Sequence, residues 1–487
     1  MTTYVQKHTN ISDITTTLVD TEILVCGWVR TARVQAKRAF LELYDGSKSI
    51  QAITEADEII TALKGVAASS FVKLVAQVVK HPEKEGVVEL NIKSIVKIAK
   101  ISDPLTYPIG GRPSLEFLRD HQSIRGLTRT IGAVMTIKSS LAYYISDFMR
   151  MKKLKKYFPP TITASDCEGA GETLVVTKLM KQKVTDIPVV TIGGGKNIPT
   201  VRTDDIDWKQ DFFQINSPAA LTVSAQLHLE ACLRGGGGGW CELPSYRGEE
   251  SHTGRHLAVF THIEWELMCA SLSDLMDFSE EITQYCFTRI LEEHMDELEQ
   301  LDKFTSKGLI EKLRGFVKKE YVRISYDQAL EILHKPEHTQ LLTSGEYAVD
   351  TIPKWGDDLG STCERFLSEF IFKHPVLVHD YPASLKSFYM KQGADGRTVE
   401  SCDLLVPGLG ELIGSSVRED DYEKLMRVVT ERKMDITPLQ WYVDLRKDGS
   451  VDTAGAGLGF ERLVCICTGM HIRDVVQFIQ ACGSLKH

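Results

Sequence analysis

Between residues 22 and 98, short runs such as "EILVCGWVRTARV", "AFLELYDG", "FVKLVAQVV" and "VVELNIKSIVKI" alternate apolar and polar side chains, with Gly, Asp and Lys turns between them. A period of two puts one face of each run in a core and the other in solvent, so the pattern predicts strands, and five such strands suit a compact β barrel. Three prolines and two glycines in "ISDPLTYPIGGRP" (101–113) predict a hinge, which divides the chain into domains 1–100 and 114–487. Beyond the hinge the period lengthens. The stretch 129–151 has helical spacing, and 271–301 predicts one long amphipathic helix with a solvated acidic face. Strands are expected at 375–378, 385–390, 402–406, 411–413 and 441–445, with a last helix from about Phe460. The segment 185–210 has no sustained period and predicts an irregular insertion. The expected fold class is α+β: a β barrel, then a large mixed domain.

At 487 residues the chain exceeds one ordinary core, and 43% hydrophobic with 25% charged residues suits a soluble globular protein. No apolar run approaches a membrane span and "MTTYVQKHTNISD" lacks a leader pattern, so a cytoplasmic protein with no membrane partner is expected. Eleven cysteines without a CxxC pair read as buried small hydrophobes. The net charge is −9, divided as +2 over the first hundred residues and −11 over the rest, so any nucleic-acid site must be a local patch.

Candidate chemistry lies in four places. In "ELPSYRGEE", Arg247 and Glu249 would share one face of a strand, a guanidinium for phosphate and a carboxylate for an exocyclic amine, or else a surface ion pair. The following "ESHTGRH" offers Arg255 and His256 as flexible cationic groups at a hairpin return. "DLLVPGLGELIGSSVRE" carries Asp403 and Glu411, the carboxylate pair a magnesium ion needs, and Arg418, whose apolar surroundings imply a specific partner. "AGAGLGFER" puts glycines before a helix that opens with Arg462, which suits a ligand lying against backbone or else tight packing. "GGGK" near residue 195 lacks the Ser/Thr and spacing of a P-loop.

In their order along the chain, "YFPPTIT" with Pro160, "YRGEE" and "GAGLGFER" resemble the three motifs of the class II aminoacyl-tRNA synthetases. "VCGWVRTARVQAKRAFLELYDGS" is similar to the anticodon-binding OB barrel of the aspartyl, asparaginyl and lysyl subgroup. "ASDCEGAGE", "LTVSAQLHLEA" and "DLLVPGLGELIG" look like its asparaginyl members. The resemblance implies an OB-fold barrel and a catalytic domain on a mixed, mainly antiparallel sheet flanked by helices. It also implies a homodimer formed through the first motif, with ATP, L-asparagine and tRNA(Asn) as partners and Mg²⁺ as cofactor.

Residue by residue, the resemblance assigns Glu168, Gln226 and Arg418 to the amino acid. It assigns Arg247, Glu249, Arg255, His256, Phe260 and Arg462 to ATP, with Arg247 and Arg462 catalytic, and Asp403 and Glu411 to the metal. Arg30, Arg33 and Phe40, with Lys37, would meet the anticodon, Phe40 as a stacking platform or else a core residue. Aspartyl members have a Lys three residues after the Gln of S-x-Q, where this chain has Leu229, which favours an amide side chain as substrate. The chain departs from relatives at Val259, Thr362-Cys363, Asp452-Thr453 and Ile479-Gln480. An aspartyl or non-discriminating enzyme, or a tRNA-binding paralogue of reduced activity, stays open at this stage. The five glycines from Gly235 are expected to join a helix end to the second-motif strand.

Overall fold

In the computed structural model the alternating runs of the first hundred residues are strands: β1 (Glu22–Val34), β2 (Ala39–Tyr44), β3 (Ser49–Thr54), β4 (Phe71–Lys80) and β5 (Val88–Ala99), with helix α1 (Asp57–Leu63) between β3 and β4. The structure describes residues 8–46, 48–103, 107, 109, 113–164, 173–178, 189–192, 196–199, 208–250 and 256–485. The strands close into a barrel in the order β1-β2-β3-β5-β4. On β2 the period of two is carried through: Ala39, Leu41 and Leu43 are buried with Val25, Val29, Leu74 and Leu90, and Phe40, Glu42 and Tyr44 take the other face. At Gly27 a Cβ would lie 2.9 Å from the Tyr44 carbonyl oxygen, so only glycine lets β1 approach β2 there.

The chain divides into two compact units, Met1–Thr136 and Ile137–His487. The division falls within helix α2 (Arg129–Met151), which has the bounds its helical spacing predicts. Most of the expected hinge, residues 104–106, 108 and 110–112, lies outside the described residues.

The second unit is built on a sheet of eight described strands: β6 (Lys155–Lys156), β7 (Gly239–Tyr246), β8 (Val259–Met268), β9 (Val322–Ser325), β10 (Val376–His379), β11 (Ser401–Val406), β12 (Gly410–Val417) and β13 (Thr453–Gly459). Their order is β9-β10-β11-β12-β13-β8-β7-β6, antiparallel except for the parallel outer pairs β9/β10 and β6/β7. Helix α3 (Gln226–Cys232) precedes β7, α4 (Leu272–Glu293) and α5 (Met295–Phe304) follow β8, and α6 (Phe460–Thr468) follows β13. The glycine run ends α3 and enters β7: the amides of Gly236 and Gly237 donate to the Leu233 carbonyl. Side chains at 236 and 239 would collide with Tyr157, and one at 238 with Leu154, so these glycines also let the first-motif segment pack closely. Cys241, Cys286, Cys363, Cys402, Cys465 and Cys467 are buried, and the ten described cysteines are all free thiols. Among the described residues no helix is long and apolar enough to cross a membrane.

Four expectations are corrected. The long helix of 271–301 breaks at His294, where the backbone leaves helical values (φ −126°), into α4 and α5. Residues 441–445 fall largely in a short helix, Gln440–Asp444, instead of a strand. Pro438 lies in the first turn of the preceding 3₁₀ segment (Thr437–Leu439), where its missing N–H costs nothing, and Gln440 Nε2 donates to Asp444 Oδ1 at 2.9 Å across one helical turn. Residues 385–390 are the end of a 3₁₀ turn (Ala383–Leu385) and a connection with an isolated bridge at Met390–Arg418, and from this connection Lys386 reaches Asp403 on β11. Within 185–210, Val189–Ile192 and Lys196–Pro199 pair as an antiparallel ribbon, as a β-branched run such as "VVTI" favours.

Candidate active site

β8 reads His262-Ile263-Glu264-Trp265-Glu266, so its polar side chains share one face while Ile263 and Trp265 enter the core. Opposite them on β13 stand Gly459, Gly457 and Gly455, in register with His262, Glu264 and Glu266. The glycines keep this floor open. A Cβ at 455 would run into Glu266, Arg418 and Gln226, one at 457 into the His262 ring, and one at 459 would lie 3.2 Å from Arg462 Cδ. Protein side chains thus occupy the space over Gly455 and Gly457, where the sequence had suggested a ligand ring as one reading.

At the Glu266 end, Arg418 and Glu266 form a bidentate pair, Nε to Oε1 and Nη2 to Oε2, both 2.9 Å, with both residues buried. Burial works against the charge on Arg418, but the Glu266 carboxylate outweighs it and raises the Arg418 pKa. Gln226, the first residue of α3, donates from Nε2 to Glu266 and to the Trp265 carbonyl, the latter at 3.2 Å. Leu229, one turn on, packs with Ala225, Cys241 and Leu243. Behind the pair, Glu230 meets Arg446 at 2.7 Å and the Tyr442 hydroxyl at 2.6 Å.

Gln226, Arg418, Asp403, Glu411 and Arg247 line one cavity of about 270 Å³. Arg247, Glu249, His256, Phe260 and Arg462 line a second, of about 120 Å³. The two share Arg247, His262, Glu411 and Gly457. Arg247 and Glu249 lie just beyond the end of β7, not within it. The Arg247 amide still bonds to the Ala258 carbonyl at 2.9 Å, and its guanidinium lies 5.6 Å from the Phe260 ring. Arg462, the third residue of α6, donates to the Glu411 carbonyl at 2.9 Å and approaches its carboxylate at 3.4 Å. The start of α6 is fixed by Glu461, which takes Lys138 Nζ of α2 at 2.8 Å and the Thr261 amide of β8 at 2.8 Å.

The Asp403 and Glu411 side chains both face Gly414, whose Cβ would lie 3.6 Å from Asp403 Oδ1 and 3.0 Å from Glu411 Oε1. Lys386 Nζ meets Asp403 Oδ2 at 2.5 Å. Burial raises the Asp403 pKa, against Lys386 and with help from Glu411. Burial would also raise Glu411, but Arg462, Lys386 and Arg247 outweigh it and hold it below its ordinary value. Among the described residues no third His, Cys, Asp or Glu completes a metal cluster with them.

In the barrel unit, Arg33 stands directly opposite Phe40 across β1 and β2, and the Arg38 guanidinium lies 5.8 Å from the Phe40 ring. Phe40 is half-buried on the face away from the core. Arg30 stacks on Tyr44 at 3.7 Å, and Arg33 and Lys37 are exposed. Glu168 and Arg255 lie outside the described residues. Sequence reasoning missed His262, Glu264, Glu266, Ser224 and Lys386. The first three carry a signal in "HIEWE", a polar period of two on a strand whose other face is core.

Residues 115–481 match the family described as tRNA synthetases class II (D, K and N), and residues 23–98 match the OB-fold nucleic acid binding domain. The chain belongs to the class II aminoacyl-tRNA synthetases. This synthetase is 37% identical to the asparagine–tRNA ligase of Desulfotalea psychrophila over 95% of each chain. It is 37% identical to that of Vibrio vulnificus over 94% of this chain and 95% of the relative. The solved asparaginyl-tRNA synthetase of Pyrococcus horikoshii, complexed with asparaginyl-adenylate, matches it with a TM-score of 0.81 at 29% identity, over 99% of this chain and 100% of that one.

Proposed function

We propose that this enzyme is an ATP-dependent asparagine–tRNA ligase, which activates L-asparagine to asparaginyl-adenylate and transfers it to the 3′ end of tRNA(Asn). The names of its relatives support this reading, and the observation that carries it is the charge in the larger cavity. Arg418 is already neutralised by Glu266, Lys386 by Asp403, and Leu229 is packed in the core. With those two cations already paired and the Asp403 and Glu411 carboxylates in the same lining, an aspartate side chain would bring a further negative charge, whereas an amide brings none. Its carbonyl oxygen would accept from Arg418.

The amino acid occupies the larger cavity and ATP the smaller, so the substrate carboxylate meets the α-phosphorus where the two join. The carboxylate attacks in line and pyrophosphate leaves. Arg247 opposes the charge growing on the phosphoryl oxygens, Arg462 and His256 hold the distal phosphates, Phe260 faces the adenine and Glu249 takes its amine. Glu168 would pair with the α-ammonium and Arg255 with phosphate. Asp403 and Glu411 would hold a Mg²⁺ ion that neutralises phosphate charge, two carboxylates being the usual complement beside substrate oxygens. The reading includes a cytoplasmic homodimer formed through the first-motif region. The anticodon meets Arg30, Arg33 and Phe40. Phe40→Ala is expected to weaken tRNA binding by about 1–3 kcal/mol, on the order of 5- to 150-fold in KM for tRNA.

Charging of a tRNA(Asn) transcript with labelled amino acid tests the reading. Charging with asparagine and not aspartate is expected. Comparable charging with aspartate, or tRNA binding with no turnover of either, would overturn it.

A further inference from the structure

His262 has no role in the account so far, yet it is one of the four described residues that line both cavities. Its Nδ1 lies 3.2 Å from Glu264 Oε1 and 3.4 Å from Ser245 Oγ. Glu264 is fully buried and also accepts from Ser224 Oγ and, at 3.0 Å, from the Ala225 amide. A carboxylate held this way assigns the imidazole proton to Nδ1 and leaves Nε2 as an acceptor. Nε2 lies on the Gly457 side, where the missing Cβ leaves it room.

The two half-reactions make different demands on an acceptor at this join. In the first, a carboxylate attacks and pyrophosphate leaves, with no proton to remove. In the second, the attacking group is a ribose hydroxyl, which must lose its proton. We propose that His262 is the proton acceptor of the transfer half-reaction; the inference rests on the reading of the two cavities given above. The hydroxyl oxygen bonds to the adenylate carbonyl carbon and its proton passes to His262 Nε2. The bond from that carbon to the phosphate oxygen breaks, its electron pair leaving on AMP. Glu264 holds the imidazolium until the proton passes to solvent.

The groups that face His262 are Glu264 and Phe260 from its own strand, Ser245 and Arg247 from β7 and the loop after it, Gly457 from β13, Glu411 from β12 and Arg462 from α6. Burial lowers the His262 pKa. Glu264 and Glu411 oppose this, while Arg247 and Arg462 reinforce it, so the ring is neutral and able to accept near pH 7.

The test measures both half-reactions in the full-length enzyme and in His262→Gln: asparagine-dependent pyrophosphate exchange, and single-turnover transfer from enzyme-bound asparaginyl-adenylate to a tRNA(Asn) transcript. Transfer is expected to fall about 10²- to 10⁴-fold and exchange by no more than about tenfold. In the wild type, transfer also slows as pH falls below the ordinary histidine value of about 6.5, and this acid limb disappears in the variant. Equal losses in the two half-reactions, or an unchanged acid limb, overturn the proposal. Should His262→Gln lose both, His262→Asn is measured in the same way, and equal losses there overturn it too. Absence of exchange in the wild type with any amino acid would instead sink the functional reading itself.

Discussion

Two carboxylates on one face of β8, two residues apart, meet partners of different kinds. Glu266 grips Arg418, a fork of donors whose charge does not change at any working pH. Glu264 backs His262, whose charge does change. Both rest on a floor opened by glycine, and both are buried, so the difference lies in the partner alone. The fixed pair sets the charge of the pocket that receives the amino-acid side chain, and the titratable pair stands where the two substrates meet. A buried polar network can serve recognition only if it does not move, and proton transfer only if one member can change state.

Breaking the fixed pair has the largest expected effect. Glu266→Ala leaves the Arg418 guanidinium buried and uncompensated, which costs about 3–5 kcal/mol of unfolding free energy by urea denaturation. A loss below about 1 kcal/mol would show that Arg418 finds another partner. The milder Glu266→Gln makes the pocket cationic and should shift pyrophosphate exchange toward aspartate. The floor is tested next: Gly455→Ala drives a methyl into three packed side chains and should cost about 1–3 kcal/mol, more than Gly457→Ala, which meets one ring edge. The reverse order of melting temperatures would contradict the packing described. The smallest effect sharpens the titratable side. With the folded His262 pKa lowered, the unfolded chain binds the proton more readily, so this residue's contribution to stability is fully present above about pH 6.5 and is lost as pH falls through the folded value. Denaturation across this range should show a shallower acid loss in His262→Gln, the difference not exceeding about 1.4 kcal/mol per pH unit.

What the sequence disclosed follows the range of the interactions concerned. The alternation in Ala39–Tyr44 and the helical spacing of Arg129–Met151 are local, and both elements form as written. The helix at Gln440–Asp444 replaces an expected strand because an apolar run of a few residues carries no period of its own and its surroundings decide, whereas the break at His294 lies within a helical period that resumes in α5. At the site, the order of the motifs pointed to Arg247, Glu249, Phe260 and Arg462, which line one cavity. Glu266 was missed although it organises the other, because its partners Gln226 and Arg418 are 40 and 152 residues away and no local pattern links them. Lys386 lay hidden in a segment read as a strand.

The most direct measurement of the central claim is amino-acid-dependent ATP–pyrophosphate exchange with asparagine, aspartate and lysine, with Arg247→Ala as the blank. The account predicts exchange with asparagine alone and a loss on the order of 10²- to 10³-fold in the variant. Exchange with aspartate at a comparable rate, or none with any of the three, would contradict it.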